Sequence, residues 1–87
     1  MKKFHLTISS PDGNIFEGEA YKLDVRGVEG DLAIMAGHIP FVTAIKAHPC
    51  ALWLDDETKK EASCDGGLLT VSSEGATLIA GSFKFSE

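Results

Sequence analysis

The sequence predicts an all-β protein, a two-sheet β-sandwich or flattened barrel of about ten short strands. Apolar and polar residues alternate with a period of two along much of the chain, as at Phe4, Leu6 and Ile8, which is the pattern of half-buried strands. Nine glycines and three prolines separate the alternating runs at short intervals, as in all-β folds. No segment has the apolar spacing of an amphipathic helix of useful length. Residues 51–54 are apolar on both faces, and two packed sheets can bury such a strand.

Each predicted strand is bounded by a turn signal. The strands fall at 4–8, from Ile15 onward, and at 21–26, 31–34, 41–45, 51–54, 61–65, 68–72, 77–80 and 83–85. Turns or loops are predicted at 10–13, 27–30, 35–40, 55–60, 66–67 and 73–75. The reason is that Pro presets φ and Gly supplies backbone freedom at such positions. Four apolar side chains are predicted to lie in the core rather than at an interface: Leu68, Ile79, Phe83 and Phe85.

Length and charge limit the kinds of partner. A chain of 87 residues predicts one domain, residues 1–87. Its net charge of −5 argues against nucleic acid, which requires a Lys/Arg patch. No apolar run approaches the ~20 residues that span a bilayer, and no signal core follows the start, so a soluble, unexported chain without direct membrane insertion is expected. Cys50 and Cys64 are expected to be buried, reduced thiols.

The segment 28–43 is the most elaborate part of the chain, with glycines, two acids, a histidine and a proline between short apolar runs. Loops held on a rigid sheet are where binding residues concentrate. No serine or cysteine lies in a nucleophile motif, and no Gly-Lys-Ser/Thr follows Gly66-Gly67. The segment therefore predicts recognition rather than catalysis, with no enzyme activity and no cofactor.

The histidines leave open the role of His38 and the presence of a metal site. His38 is either a partner contact or a brace for its own loop, because no second ligand lies at zinc-like spacing. His48, Cys50 and Cys64, with His5 as a fourth ligand, form the one alternative metal group, although their spacing matches no zinc signature. A free-standing β-sandwich module that binds a small ligand or metal is therefore kept as the alternative function.

Five blocks of sequence occur in an order that identifies a family. They are Phe16-Glu17-Gly18, Gly27-Val28-Glu29-Gly30-Asp31-Leu32-Ala33-Ile34, Gly37-His38-Ile39-Pro40, Thr43-Ala44-Ile45-Lys46, and Gly66-Gly67-Leu68-Leu69 with Val71. Together they resemble the epsilon subunit of F-type ATP synthase, from about residue 5 to residue 78. The resemblance implies a ten-stranded β-sandwich. It also implies a non-catalytic role in the central stalk of the rotor, where ion flow is coupled to ATP synthesis.

The resemblance also implies which residues bind partners. In that family the acid in the glycine-flanked turn meets the polar loops of the membrane c-ring, which assigns c-ring binding to Glu29, Gly30 and Asp31. The Gly-His loop and the turn after the first strand face the gamma subunit, which assigns gamma binding to His38 and Ser10. The implied location is the cytoplasmic face of the bacterial inner (plasma) membrane, as a peripheral part of the complex.

The chain departs from the family pattern at several positions. Ala36 stands where the family usually has Pro, residues 46–49 replace a common Lys-Pro-Gly turn, and Asp65 replaces a common Ser. Most family members continue into a helical hairpin that carries an inhibitory extension and, in some members, an ATP site. Neither activity is assigned to these 87 residues.

Overall fold

Ten β-strands make up the regular structure of residues 2–86, the part of the chain that the computed structural model describes. They are β1 Phe4–Ser10, β2 Gly13–Ala20, β3 Lys22–Gly27, β4 Gly30–Met35, β5 Phe41–Ile45, β6 His48–Trp53, β7 Lys59–Cys64, β8 Gly67–Ser72, β9 Gly75–Ala80 and β10 Phe83–Phe85. No helix occurs in this range. The all-β prediction and the count of about ten strands are confirmed. Met35 is the last residue of β4, so the predicted 35–40 loop begins one residue later, at Ala36.

The strands form two layers that are joined at one corner. The first sheet has the order β4-β3-β6-β7-β10, and the second has the order β5-β8-β9-β1-β2. They meet where Gly27 of β3 pairs with Ile45 of β5. Every neighbouring pair is antiparallel except β1 and β9, which are parallel. A single continuous path of hydrogen bonds therefore folds over into a sandwich.

The core lies between the two layers and is built from alternate residues of the strands. Its seven largest fully buried side chains are Leu6, Ile8, Leu23, Ile34, Leu52, Leu69 and Leu78. Both sheets contribute to this set, which follows from the period-two alternation of side chains along a strand. No polar or charged residue is buried among residues 2–86. Apolar burial alone therefore fixes which face of each strand turns inward.

Two of the four predicted core side chains lie on the surface instead. Leu68 is 44% exposed and Ile79 is 53% exposed, so the prediction was wrong for both. Phe83 is buried, and Phe85 packs against the core as a partly buried residue, as predicted. Leu69 takes the inward position of β8 at 0% exposure, and its neighbour Leu68 must then point outward because successive side chains face opposite ways.

Candidate protein-binding surface

The outer face of the second sheet carries no Asp, Glu, Lys or Arg across four adjacent strands. Two cross-strand rows make up this face, which we call the uncharged face. One row is Val42, Thr70, Thr77 and Thr7, and the other is Ala44, Leu68, Ile79 and Ser9. Val42 is 61% exposed. Carboxylates begin at the edge strand β2, where Glu17 pairs with Thr7, and His5 of β1 lies 3.5 Å from Glu17 and 3.6 Å from Glu19.

The outer face of the first sheet is charged, and its ions pair with one another. It carries three ion pairs, of which Arg26–Asp31 at 3.1 Å joins β3 to β4, while Lys22–Asp24 and Lys59–Glu61, each at 3.7 Å, lie within single strands. Trp53 lies among them and donates its Nε1–H to Asp24 at 3.0 Å. Such a face is well adapted to water, whereas depletion of charge marks the centre of protein interfaces. The uncharged face is therefore the better candidate for a partner.

The hairpin between β3 and β4 lies directly beside the uncharged face. Val28 donates its backbone N–H to the Ala44 carbonyl at 3.1 Å, and Lys46 donates to the Arg26 carbonyl at 2.8 Å. Gly30 has a φ of +135°, a value that favours glycine, and it closes the two-residue tip. Val28 at the tip is 54% exposed. The hairpin therefore adds an apolar residue next to Ala44 and carries the predicted c-ring acids with it.

The two acids of this hairpin differ in their surroundings. Asp31 lies on β4 with its side chain 79% exposed, and one of its oxygens accepts a bond from Arg26 at 3.1 Å. Glu29 lies at the exposed tip and makes no ion pair within residues 2–86. The fold thus brings Glu29, Gly30 and Asp31 together at one corner. Of the two carboxylates, only that of Glu29 has no internal cation.

His38 braces its own loop. Its backbone N–H donates to the Met35 carbonyl at 3.2 Å across a turn in which Gly37 has a φ of +84°, as the third position of a type II turn requires. Its Nδ1 lies 2.9 Å from the Ile39 carbonyl oxygen, and its ring centroid lies 4.9 Å from that of Phe41. The side chain that this loop projects is Ile39, 77% exposed. The sequence pattern points to the histidine rather than to Ile39, whose only signal is an apolar residue before Pro.

Ser10 and His38 lie at opposite ends of the second sheet. Ser10 ends β1 directly after Ser9 of the uncharged face, and its Oγ accepts a bond from the Asp12 backbone N–H at 3.2 Å. His38 precedes the start of β5, which runs in the same direction as β1. The uncharged face therefore extends between the two residues predicted to bind gamma, although neither of them forms its centre.

The two thiols lie on the inner side of the first sheet. His48 pairs with Cys64 and Cys50 pairs with Ala62, so the three metal-ligand candidates of this region share one side of β6 and β7. Burial raises the pKa of Cys50 from 9.0 to about 12, with a smaller contribution from Cys64, and burial also raises the pKa of Cys64. The fourth candidate, His5, lies on β1. Among residues 2–86 no group of three or more His, Cys, Asp or Glu side chains could hold a metal ion.

An open cleft of about 520 Å³ lies at one end of the sandwich. Its lining includes Lys3, His5, Ile34, His38 and Glu74. This is where the small ligand of the alternative function would bind. Within the described range, no helix has the length and apolar character needed to cross a membrane.

Comparisons with known proteins agree with the fold and with the sequence resemblance. The family described as "ATP synthase, Delta/Epsilon chain, beta-sandwich domain" matches residues 3–86. The chain is 38% identical over 80 residues to the ATP synthase epsilon chain of Nitrobacter winogradskyi and 36% identical over 80 residues to that of Afipia carboxidovorans. Each alignment covers 92% of this chain and 58% of the relative.

Two solved structures share the fold. A chain of the Euglena gracilis mitochondrial ATP synthase superimposes with a TM-score of 0.88 at 18% identity, covering 95% of this chain and 53% of that one. A chain from the central stalk and c-ring structure of the Tetrahymena thermophila enzyme gives 0.81 at 11% identity, covering 94% and 66%. These likenesses establish the fold, and the family match establishes descent. The chain belongs to the β-sandwich domain family of ATP synthase delta and epsilon chains.

Proposed function

We propose that this chain is a non-catalytic rotor domain that joins the gamma subunit to the membrane c-ring and so couples ion flow to ATP synthesis. The observation that carries the proposal is the uncharged face. In a protein with 24% charged residues and a net charge of −5, the outer faces of four adjacent strands of the second sheet carry no Asp, Glu, Lys or Arg, whereas the outer face of the first sheet is charged. A surface kept free of charge in such a chain fits burial against another protein.

The gamma subunit is the partner that we assign to the uncharged face. Leu68, Ile79 and Val42 expose 44%, 53% and 61% of their surface. Complete burial of an aliphatic side chain is worth about 1.5–3 kcal/mol, so each of the three offers about 1 kcal/mol on docking. Ser10 and His38 lie at the two ends of the face and fit its rim.

The c-ring polar loops are the partner that we assign to the hairpin acids. Glu29 and Asp31 lie at an exposed corner, where carboxylates accept charge-assisted hydrogen bonds from Lys or Arg. Ion pairs at the rim of an interface determine the relative orientation of the two proteins and their association rate more than their affinity. Because the hairpin adjoins Ala44 through its backbone, one corner of the domain meets both partners.

The mechanism is mechanical rather than chemical. Close-packed interiors compress little, so a sandwich with seven fully buried aliphatic side chains can pass torque between two partners without absorbing it. The working location is peripheral, at the cytoplasmic face of the bacterial inner membrane.

The first test is isothermal titration calorimetry of this chain against the gamma subunit from the same genome. Tight one-to-one binding is expected, with at least a hundredfold loss for Ile79→Asp, because the new carboxylate would be desolvated without a partner. Ser63→Asp is the control for the added charge, since Ser63 is also exposed but lies on β7 of the first sheet. Absence of binding by the folded chain would refute the proposal and turn attention to the 520 Å³ cleft.

The second test addresses the hairpin. Asp31→Lys is expected to weaken association with c-ring-containing membranes and to leave gamma affinity unchanged. Glu74→Lys makes the same charge change at an exposed turn between β8 and β9 and controls for net charge. Equal assembly of wild type, Asp31→Lys and Glu74→Lys rotors would exclude the assignment of Asp31.

A further inference from the structure

One stretch of sheet edge, residues 41–43 of β5, has a strand partner on one side only. On the other side, pairing with β3 ends at Gly27 and Ile45. Backbone groups of alternate residues point to the same edge. The Ala44 carbonyl accepts its bond from Val28 on the β3 side, so the Val42 N–H and C=O point to that side as well. Neither group makes a hydrogen bond within residues 2–86.

The other free edges of the described sheets carry the features that normally prevent strand addition. The β1–β2 pair is irregular between Ile8 and Ser9, and β2 carries Glu17 and Glu19. The β10 edge is three residues long. The β4 edge carries Asp31 with its Arg26 partner. Proteins use bulges, short strands and charges to block pairing at exposed edges.

The edge at 41–43 is as short as that of β10, but it has neither the charges nor the irregular pairing of the other edges. It reads Phe41-Val42-Thr43, without a charge, a proline or a bulge. Val42 is 61% exposed, and unguarded edges of this kind are templates for strand pairing.

A cleft of about 290 Å³ separates this edge from the β3–β4 hairpin. Phe41, Val42 and Thr43 form one wall, and Glu29 and Asp31 lie on the other. An occupant therefore finds main-chain hydrogen bonds and an apolar contact on the β5 side, and negative charge on the hairpin side. The segment that fits is extended and pairs its backbone with the β5 side, and it needs no basic side chain because the hairpin carboxylates are assigned to the c-ring loops.

We propose that an extended segment of the gamma subunit adds as a short strand to the free edge of β5, pairing its backbone with that of Val42. The inference rests on the proposed function, because it names the way in which the same partner binds. Val42 belongs to both the uncharged face and this edge, so the interface with gamma would extend from the uncharged face to the added strand. Such pairing gives affinity through the main chain and specificity through alternate side chains.

Amide hydrogen exchange followed by NMR tests the pairing directly. In the free domain the Val42 amide is expected to exchange rapidly, while the amides of Phe41 and Thr43 are protected by β8. Saturating gamma subunit is expected to slow exchange at Val42 by at least tenfold. Gamma binding with Val42 still exchanging rapidly would overturn the strand-addition inference and leave the proposed function standing. Absence of gamma binding would remove both.

Two substitutions separate the backbone bond from the side chain. Val42→Pro removes the N–H but keeps a similar apolar volume, and it is tolerated where the N–H faces outward at an edge. We expect it to lower gamma affinity about tenfold, the effect of losing one hydrogen bond at an interface and leaving its partner unsatisfied. Val42→Ala keeps the N–H and is expected to lower affinity by less. Equal affinity of Val42→Pro and wild type would overturn the inference, as would protection of Val42 by c-ring-containing membranes without gamma.

Discussion

Gly67→Ala is expected to destabilise this domain strongly, because the chain has no space for a single methyl group at this position. Gly67 begins β8 opposite Ala80 of β9. A Cβ there would collide with the Ile79 carbonyl oxygen and lie 2.9 Å from the Ala80 Cα. The obstruction is backbone on a neighbouring strand, so no change of side-chain rotamer can relieve it.

The magnitude follows from this geometry. Ordinary contacts of a Cβ begin at 3.4 Å, so the end of β8 must move away from β9. Overpacking of this kind costs about 1–3 kcal/mol, and a weakened ladder bond adds about 1 kcal/mol. A total of about 2–4 kcal/mol corresponds to a fall in Tm of roughly 10–25 °C for a domain of this size. The shift would also disturb the row of the uncharged face that contains Leu68 and Ile79.

Urea denaturation followed by the fluorescence of Trp53, the single tryptophan, measures this loss. Gly18→Ala is the matched control, because its Cβ would make only an ordinary contact of 3.6 Å with the Phe16 ring. Neither glycine has a positive φ, so backbone strain does not distinguish them. The control is expected to change stability by about 0.5 kcal/mol or less. Equal stability of the two variants would refute the steric argument.

Three further predictions concern the core. Cys50 and Cys64 are buried, so neither is expected to react with a thiol reagent at neutral pH until urea unfolds the chain, and rapid labelling of the native protein would contradict their burial. Burial raises the pKa of Cys50 from 9.0 to about 12, so as the pH rises the unfolded chain loses the thiol proton of Cys50 before the folded chain does. The urea midpoint should therefore fall as the pH rises from the lower pKa to the higher one, and it should depend less on pH in Cys50→Ala. Leu69→Ala should cost about 2–5 kcal/mol, whereas Leu68→Ala should change stability by about 0.5 kcal/mol or less, since the first residue is 0% and the second 44% exposed. Similar unfolding midpoints for the two would contradict the assigned faces.

Local pattern was sufficient to predict the number of strands and the position of most of them, because short-range rules govern them. It was wrong about two boundaries, since β6 begins at His48 rather than at residue 51 and β7 begins at Lys59, inside the predicted 55–60 loop. A period-two alternation requires an extended backbone with one face inward, and it located β1 and β5 correctly. Glycine and proline located the turns for a similarly local reason, since they alter the φ values open to one residue. Residues 10–13 and 27–30 needed no tertiary information.

The pattern of apolar and polar residues did not decide which side chains of a strand point into the core where neighbouring residues are both apolar. Leu68 and Leu69 are chemically identical, and only the pairing of β8 with β5 and β9 determines which of them enters the core. The same limit applied to the predicted partner contacts. The sequence gives no sign that the carboxylate of Asp31 is bonded to Arg26 or that the His38 ring is held by Ile39 and Phe41.

The sequence by itself determined that the chain is an all-β sandwich, and its motifs identified the family, because alternation and turn residues are read one segment at a time. The tertiary structure alone decided which surface is available to a partner. The uncharged face is assembled from β1, β5 and the β8–β9 hairpin, which are distant from one another in sequence, and the free edge of β5 exists only because β3 turns away after Gly27. A property of several strands placed side by side depends on their register, and register is set by the whole fold.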